Sequence, residues 1–162
     1  MAKFDSLMKA TFNPPRNWTL LEDLKFYSDE LTESDADMLR NCGVQVRNST
    51  KTKQYIVTIP KDYVTDMASV PRGCWAFIAP FDVARAAIIH DLLYKSIRQY
   101  RWKKKDKQDS ELVKAAKIAS DKVFLLGMRD ADPKIPGYKI YLSWKAVDLF
   151  GNGSIKPNEN NI

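Results

Sequence analysis

"VARAAIIHDLLYKSIRQY", residues 83–100, decides the class of this chain. Its apolar residues recur at three- and four-residue spacing, so it reads as a long helix, opened by Asp82 as N-cap after Pro80. Two more helical patterns follow. "SELVKAAKIASDKVFLLGM" (110–128) is the first. "PGYKIYLSWKAVDLFG" (136–151) is the second, with Pro136 in its first turn and Gly151 past its end. Toward the N-terminus the character changes. "VQVRN" (44–48) and "QYIVTIP" (54–60) are β-branched runs joined by the polar "STKTK", which is a hairpin signal. "WTLLEDLKFYS" (18–28) reads as a further strand with a flaw in its alternation. "SDADMLRNCG" (34–43) reads as a short helix with Ser34 as N-cap, Asp37 three residues on, and Gly43 placed to end it.

The expectation is an α+β chain, with a small antiparallel sheet in the N-terminal part followed by three helices. Pro14-Pro15 makes residues 1–17 an extended arm, residues 18–151 form one domain, and 152–162 are a polar, frayed tail.

Composition narrows the function classes. The 162 residues are 44% hydrophobic and 28% charged, ordinary values for a globular domain. No stretch approaches the roughly 18 apolar residues that a spanning helix needs. The first residues lack the continuous apolar segment of a secretory signal. Two cysteines and one histidine cannot complete a four-ligand Cys/His zinc site, so zinc is not expected. Cys42 and Cys74 read as buried thiols in a reducing compartment. Any metal would be held by carboxylates, hence calcium or magnesium.

The formal charge of +6 makes anionic partners plausible. Much of the excess lies in "KSIRQYRWKKKDK" (95–107), where Tyr100 and Trp102 interleave with basic residues. That pattern suits an anionic surface, either phospholipid or nucleic acid. The plainer reading is a solvated helix end.

His90 is the only histidine, and it stands next to Asp91 with Tyr94 one turn on. At about 100° per residue, His90, Tyr94 and Asp91 fall at roughly 0°, 40° and 100° on the wheel. Ala86 and Ala87 precede them on the same arc and let another backbone come close. Asp121 in the next helix is flanked by Ile118, Phe124, Leu125 and Met128. A carboxylate on an apolar stripe needs hydrogen bonds if it is buried. The imidazole of His90 and the hydroxyl of Tyr94 would supply them if the two helices pack antiparallel. Such a pair can orient a general base, or it can simply lock two helices together.

"YVTDMASVPRG" (63–73) is the second unusual stretch. It reads either as a turn capped by Asp66, or as a loop bringing Asp66, Ser69 and Arg72 to one place. "IPKDYVTDMASVPRGCW", "ARAAIIHDLLY" and "ASDKVF" together resemble a domain-of-unknown-function family widespread in tailed bacteriophages and prophages. Its members share T-D-x-A-S-V-P-R, A-A-x-x-H-D-x-L-Y and A-D-x-x-F segments. These match Thr65 to Arg72, Ala86 to Tyr94, and Ala119, Asp121 and Phe124, with Ser120 inserted after Ala119. The similarity covers roughly residues 40 to 151. It implies a phage protein, in the infected host cytoplasm or the virion, with a shared site at Asp66, Ser69, His90, Asp91 and Asp121.

The "HDLLY" helix is also similar, more distantly, to that of phospholipases of the A-two type, including the domain in parvovirus capsids. That resemblance implies that His90 activates water, Asp121 with Tyr94 orients the imidazole, and Asp91 holds calcium. The glycine-rich calcium loop is missing here, with only Gly73 upstream, and there is no disulfide scaffold. If a cation binds, Asp91, carbonyls of the 66–74 loop and Asp66 are the expected ligands.

Two readings follow. One is a hydrolase of host phospholipid or cell-wall bonds, with His90 as base, water or Ser69 as nucleophile, and the 95–107 stretch as docking surface. The other is a non-enzymatic virion or tail-associated component whose His/Asp network is structural and whose partners are other virion proteins.

Overall fold

The computed structural model describes residues 1–66, 83–105 and 110–162. Its architecture is α+β, with small antiparallel sheets in the N-terminal part and the long helices after them. The strands are β1 (Lys3–Phe4), β2 (Ala10–Asn13), β3 (Asn17–Leu20), β4 (Leu24–Ser28), β5 (Val46–Asn48), β6 (Tyr55–Ile59) and β7 (Val64–Thr65). The helices are α1 (Glu33–Asn41), α2 (Ala84–Lys104), α3 (Glu111–Arg129) and α4 (Gly137–Ser154). One sheet has the order β1-β4-β6-β5 and the other β2-β3-β7, all pairs antiparallel.

The flaw in the 18–28 alternation is a break between sheets. Residues up to Leu20 pair with β2 and β7, and residues from Leu24 pair with β1 and β6. Asp23, in the break, accepts a hydrogen bond from the Lys61 amide at 2.8 Å and holds the corner. From there β4 alternates cleanly, with Leu24, Phe26 and Ser28 buried. The hairpin expected over 44–60 forms as β5 and β6, with Val46 opposite Val57.

Helix α1 begins two residues earlier than its Ser34 reading. Thr32 is the N-cap, and its side chain and that of Asp35 bond reciprocally to backbone amides, a capping box. The helix stops where Gly43 takes φ +86°. Asp82, the expected cap of α2, lies outside the described residues, as do positions 67–82 and 106–109 generally.

Neither end of the chain hangs free. The N-terminal arm carries β1 and β2, and Phe4 is buried against Phe26. The tail expected to fray begins with a packed segment. Helix α4 continues through Gly151 to Ser154, and Ile155 is only 1% exposed. Arg98 and Arg101 of α2 clamp this segment through the carbonyls of Ser154, Asn161 and Ile155 at 2.7–3.1 Å. Two members of the basic stretch thus serve the fold, and Trp102 and Lys103–Lys105 are among its exposed residues.

Helices α2 and α3 form the middle layer. Ala86 approaches Gly127, His90 meets Phe124 and Asp121, and Tyr94 meets Asp121, so the two run antiparallel. A Cβ on Gly127 would sit 3.2 Å from the Ala86 Cβ, which shows how small residues bring these backbones together. On one side Ile88, Ile89, Leu93 and Val123 pack on the larger sheet and α1. On the other, Tyr94, Ile97, Phe124 and Met128 pack on Ile140 and Val147 of α4. Among the described residues no helix is long and apolar enough to cross a membrane.

Candidate functional site

The centre of the molecule is a polar quartet between α2, α3 and α4. His90 is 0% exposed, Asp121 3% and Lys117 5%, and Tyr94 is equally enclosed. His90 Nε2 lies 3.1 Å from Asp121 Oδ1, and the Tyr94 hydroxyl donates to the same oxygen at 2.7 Å. Lys117 Nζ donates to Asp121 Oδ2 at 2.7 Å and to the Asp148 carbonyl at 3.0 Å. Both carboxylate oxygens are therefore engaged.

Burial opposes ionisation of Asp121. The hydrogen bonds from His90, Lys117 and Tyr94 win and hold the carboxyl below its ordinary range. The Tyr94 phenol is pushed up, first by burial and then by the Asp121 charge, so it stays a donor.

An ionised carboxylate only accepts, so Nε2 donates to it. Among the described residues Nδ1 is buried with no hydrogen-bond partner. Leaving a buried polar atom unmatched costs about 1–3 kcal/mol. The ring packs against Tyr94 and Phe124, with centroids at 4.0 and 4.8 Å, so it is fixed in place.

Asp91 does not join this quartet. The 100° step from His90 turns its carboxylate to the other side of α2, where Oδ2 accepts the buried Tyr63 hydroxyl at 2.9 Å. Tyr63 is raised by burial and by Asp91, and the Lys95 ammonium lies 5.6 Å from its ring centre. Asp66, exposed, follows three residues after Tyr63. Ser69 and Arg72 lie outside the described residues, as does Cys74. Cys42 is buried, and burial pushes its thiol up to about 11, which keeps it protonated and unreactive. Among the described residues no group of three or more His, Cys, Asp or Glu converges as a metal would require.

Three residues of this region were not singled out by the sequence reading: Lys117, Tyr63 and the seat for Tyr94 at Gly151. Lys117 precedes Asp121 by four residues and so shares its face of α3, a signal open to inspection. Gly151 looked like a helix stop. In fact the helix passes through it, and a side chain there would overlap the Tyr94 hydroxyl.

A family described as a protein of unknown function (DUF1353) matches residues 43–147. The chain belongs to this family. The DUF1353 match takes in the β5–β6 hairpin, α2, α3 and most of α4, and therefore His90, Asp91, Tyr94, Lys117 and Asp121. It ends before Asp148 and Gly151, and β1 to β4 and α1 precede it. No curated protein and no solved structure matches the chain.

The lowered Asp121 value has a measurable sign. A carboxyl whose folded value lies below its unfolded one adds stability above the unfolded range, about pH 3.9, and loses it as pH falls toward the folded value. Asp35 and Glu33 contribute in the same direction, so the quartet is isolated by comparison. Urea midpoints of wild type should drop more steeply between neutral pH and pH 3 than those of Asp121→Asn. Parallel profiles would mean that Asp121 is not held as an anion.

Proposed function

We propose that this chain is a hydrolase of tailed phage or prophage, with His90 as general base. One observation carries the reading: a buried imidazole, oriented through Nε2 by Asp121, whose other nitrogen has no partner among the described residues. In the reaction, Nδ1 takes a proton from water as the oxygen attacks an ester or amide carbon. The carbon–heteroatom bond then breaks and the imidazolium returns the proton to the leaving group. Ser69 is the alternative nucleophile, with Asp66 and Arg72 as candidate binding groups and Trp102 with Lys103–Lys105 as the docking surface. Host phospholipid or cell-wall bonds are the substrate classes, and infected cytoplasm or the virion the setting. Asp91 is engaged by Tyr63, so no step here runs through a cation. Calcium or magnesium, if bound, would be held by Asp91.

The test uses phosphatidylglycerol vesicles and purified peptidoglycan, each with and without calcium. Wild type should release product from one of them. His90→Asn should cut that rate about 10²–10⁴-fold while leaving the circular dichroism unchanged. No turnover of either substrate by wild type, or equal turnover by the variant, would sink the reading.

The complete enclosure of His90 favours a second reading, in which the quartet locks the helices of a virion component. On that reading wild type turns over neither substrate, and His90→Phe lowers the unfolding midpoint because one member of the lock is gone.

A further inference from the structure

One buried ionisable group has no part in the reaction as written. Lys117 is enclosed between α3 and α4, and its ammonium meets Asp121 Oδ2 and the Asp148 carbonyl. A lysine is rarely taken out of water without a specific partner, and here the partner is the acid that orients His90.

Charge counting shows what the lysine does. Consider the imidazole beside a buried carboxylate with no cation. A neutral ring leaves a net negative charge in a low-dielectric interior, whereas a protonated ring gives a neutral pair. The proton is therefore drawn onto the imidazole. An imidazolium has no lone pair and cannot act as a base. With an ammonium on the second carboxylate oxygen the balance reverses: the neutral ring gives zero net charge, and a further proton leaves an uncompensated buried cation.

We propose that Lys117 is a positioning residue of the His90 centre, neutralising Asp121 so that the imidazole stays uncharged with its proton on Nε2 and its Nδ1 lone pair open. The surrounding charges agree with this count among the described residues. From α2, Tyr94 donates to Asp121 Oδ1, and the Asp91 carboxylate turns to Tyr63. From α3 come Lys117 and Asp121 themselves. From α4, Asp148 offers its carbonyl to Lys117 while its carboxylate pairs with Lys145 at 2.8 Å. Lys117 is the one lysine or arginine paired with Asp121 among the described residues. The proposal depends on the hydrolase reading for what the open nitrogen is used for, and not for the charge state itself.

Because the chain has a single histidine, its imidazole nitrogen signals are unambiguous by nuclear magnetic resonance. At pH 7 the wild-type ring should be mainly the neutral Nε2–H form. Lys117→Met should raise the imidazolium-to-imidazole ratio about tenfold or more, since an opposite charge close by moves such equilibria by one to three decades. Lys117→Arg should stay neutral, and Lys117→Met/Asp121→Asn should return to neutral. If the methionine variant fails to fold, Lys117→Gln carries the same prediction, because it keeps a donor and removes the charge. A charged ring in wild type, or a ring still neutral in the folded Met or Gln variant, would overturn the proposal. Absence of hydrolysis with the expected signals would instead count against the enzymatic reading alone.

Discussion

Asp121→Ala is expected to cost about 3–5 kcal/mol of stability, the range for removing one partner from a buried ion pair. Three donors converge on this carboxylate, and all three are enclosed. Without it the Lys117 ammonium keeps only the Asp148 carbonyl, and the Tyr94 hydroxyl and His90 Nε2 are left in an apolar layer. The lysine dominates the loss, because a buried charge without a counter-ion is worse than a buried hydroxyl without an acceptor. Asp121→Asn should cost less, since its oxygen still accepts from His90 and Tyr94. Lys117→Met/Asp121→Asn should recover part of the loss, since no charge is left stranded. Urea unfolding of the three variants measures this. A loss below about 1 kcal/mol for Asp121→Ala would mean the quartet carries little of the stability assigned to it.

How far the sequence reveals this arrangement depends on whether a feature is local. The His90–Tyr94 arc is set by helix geometry alone, and the need of an acid on an apolar stripe for partners is elementary. Both were legible, and with them the antiparallel packing of α2 on α3. Asp91 was assigned to the same face, but a 100° step is enough to aim a side chain at a different neighbour, and that neighbour, Tyr63, stands just before β7, nearly thirty residues away. The stripe around Asp121 was drawn slightly off: Ile118 is 64% exposed, while Lys117 is inside. Hydropathy favours the isoleucine. The lysine is buried because Asp121, four residues on, and the Asp148 carbonyl of α4 both accept from it. The division of 18–28 between two sheets and the clamping of the tail by Arg98 and Arg101 are likewise long-range pairings, which local pattern does not encode.

Gly151→Ala, a change that helps most helices, is expected to destabilise this one by about 1–2 kcal/mol. Alanine at an interior helix position gains about 1 kcal/mol over glycine from propensity. Against that, a methyl group on Gly151 would overlap the Tyr94 hydroxyl and come within 3.1 Å of the Lys117 Cε. The phenol cannot simply swing away, because its ring packs on His90 and its hydroxyl is bonded to Asp121. Either α4 shifts, at the expense of the Ile140 and Val147 packing, or Tyr94 gives up a hydrogen bond to a charged acceptor, worth about 1.5–3 kcal/mol. The two routes are separable. On a Tyr94→Phe background the obstructing oxygen is gone, and Gly151→Ala should then cost less than about 1 kcal/mol, a coupling that a double-mutant cycle reads directly. If Gly151→Ala instead raises the unfolding midpoint in the wild-type background, propensity has won. The close seating of Tyr94 under α4, and with it the rigidity of the whole His90 centre, would then have to be given up.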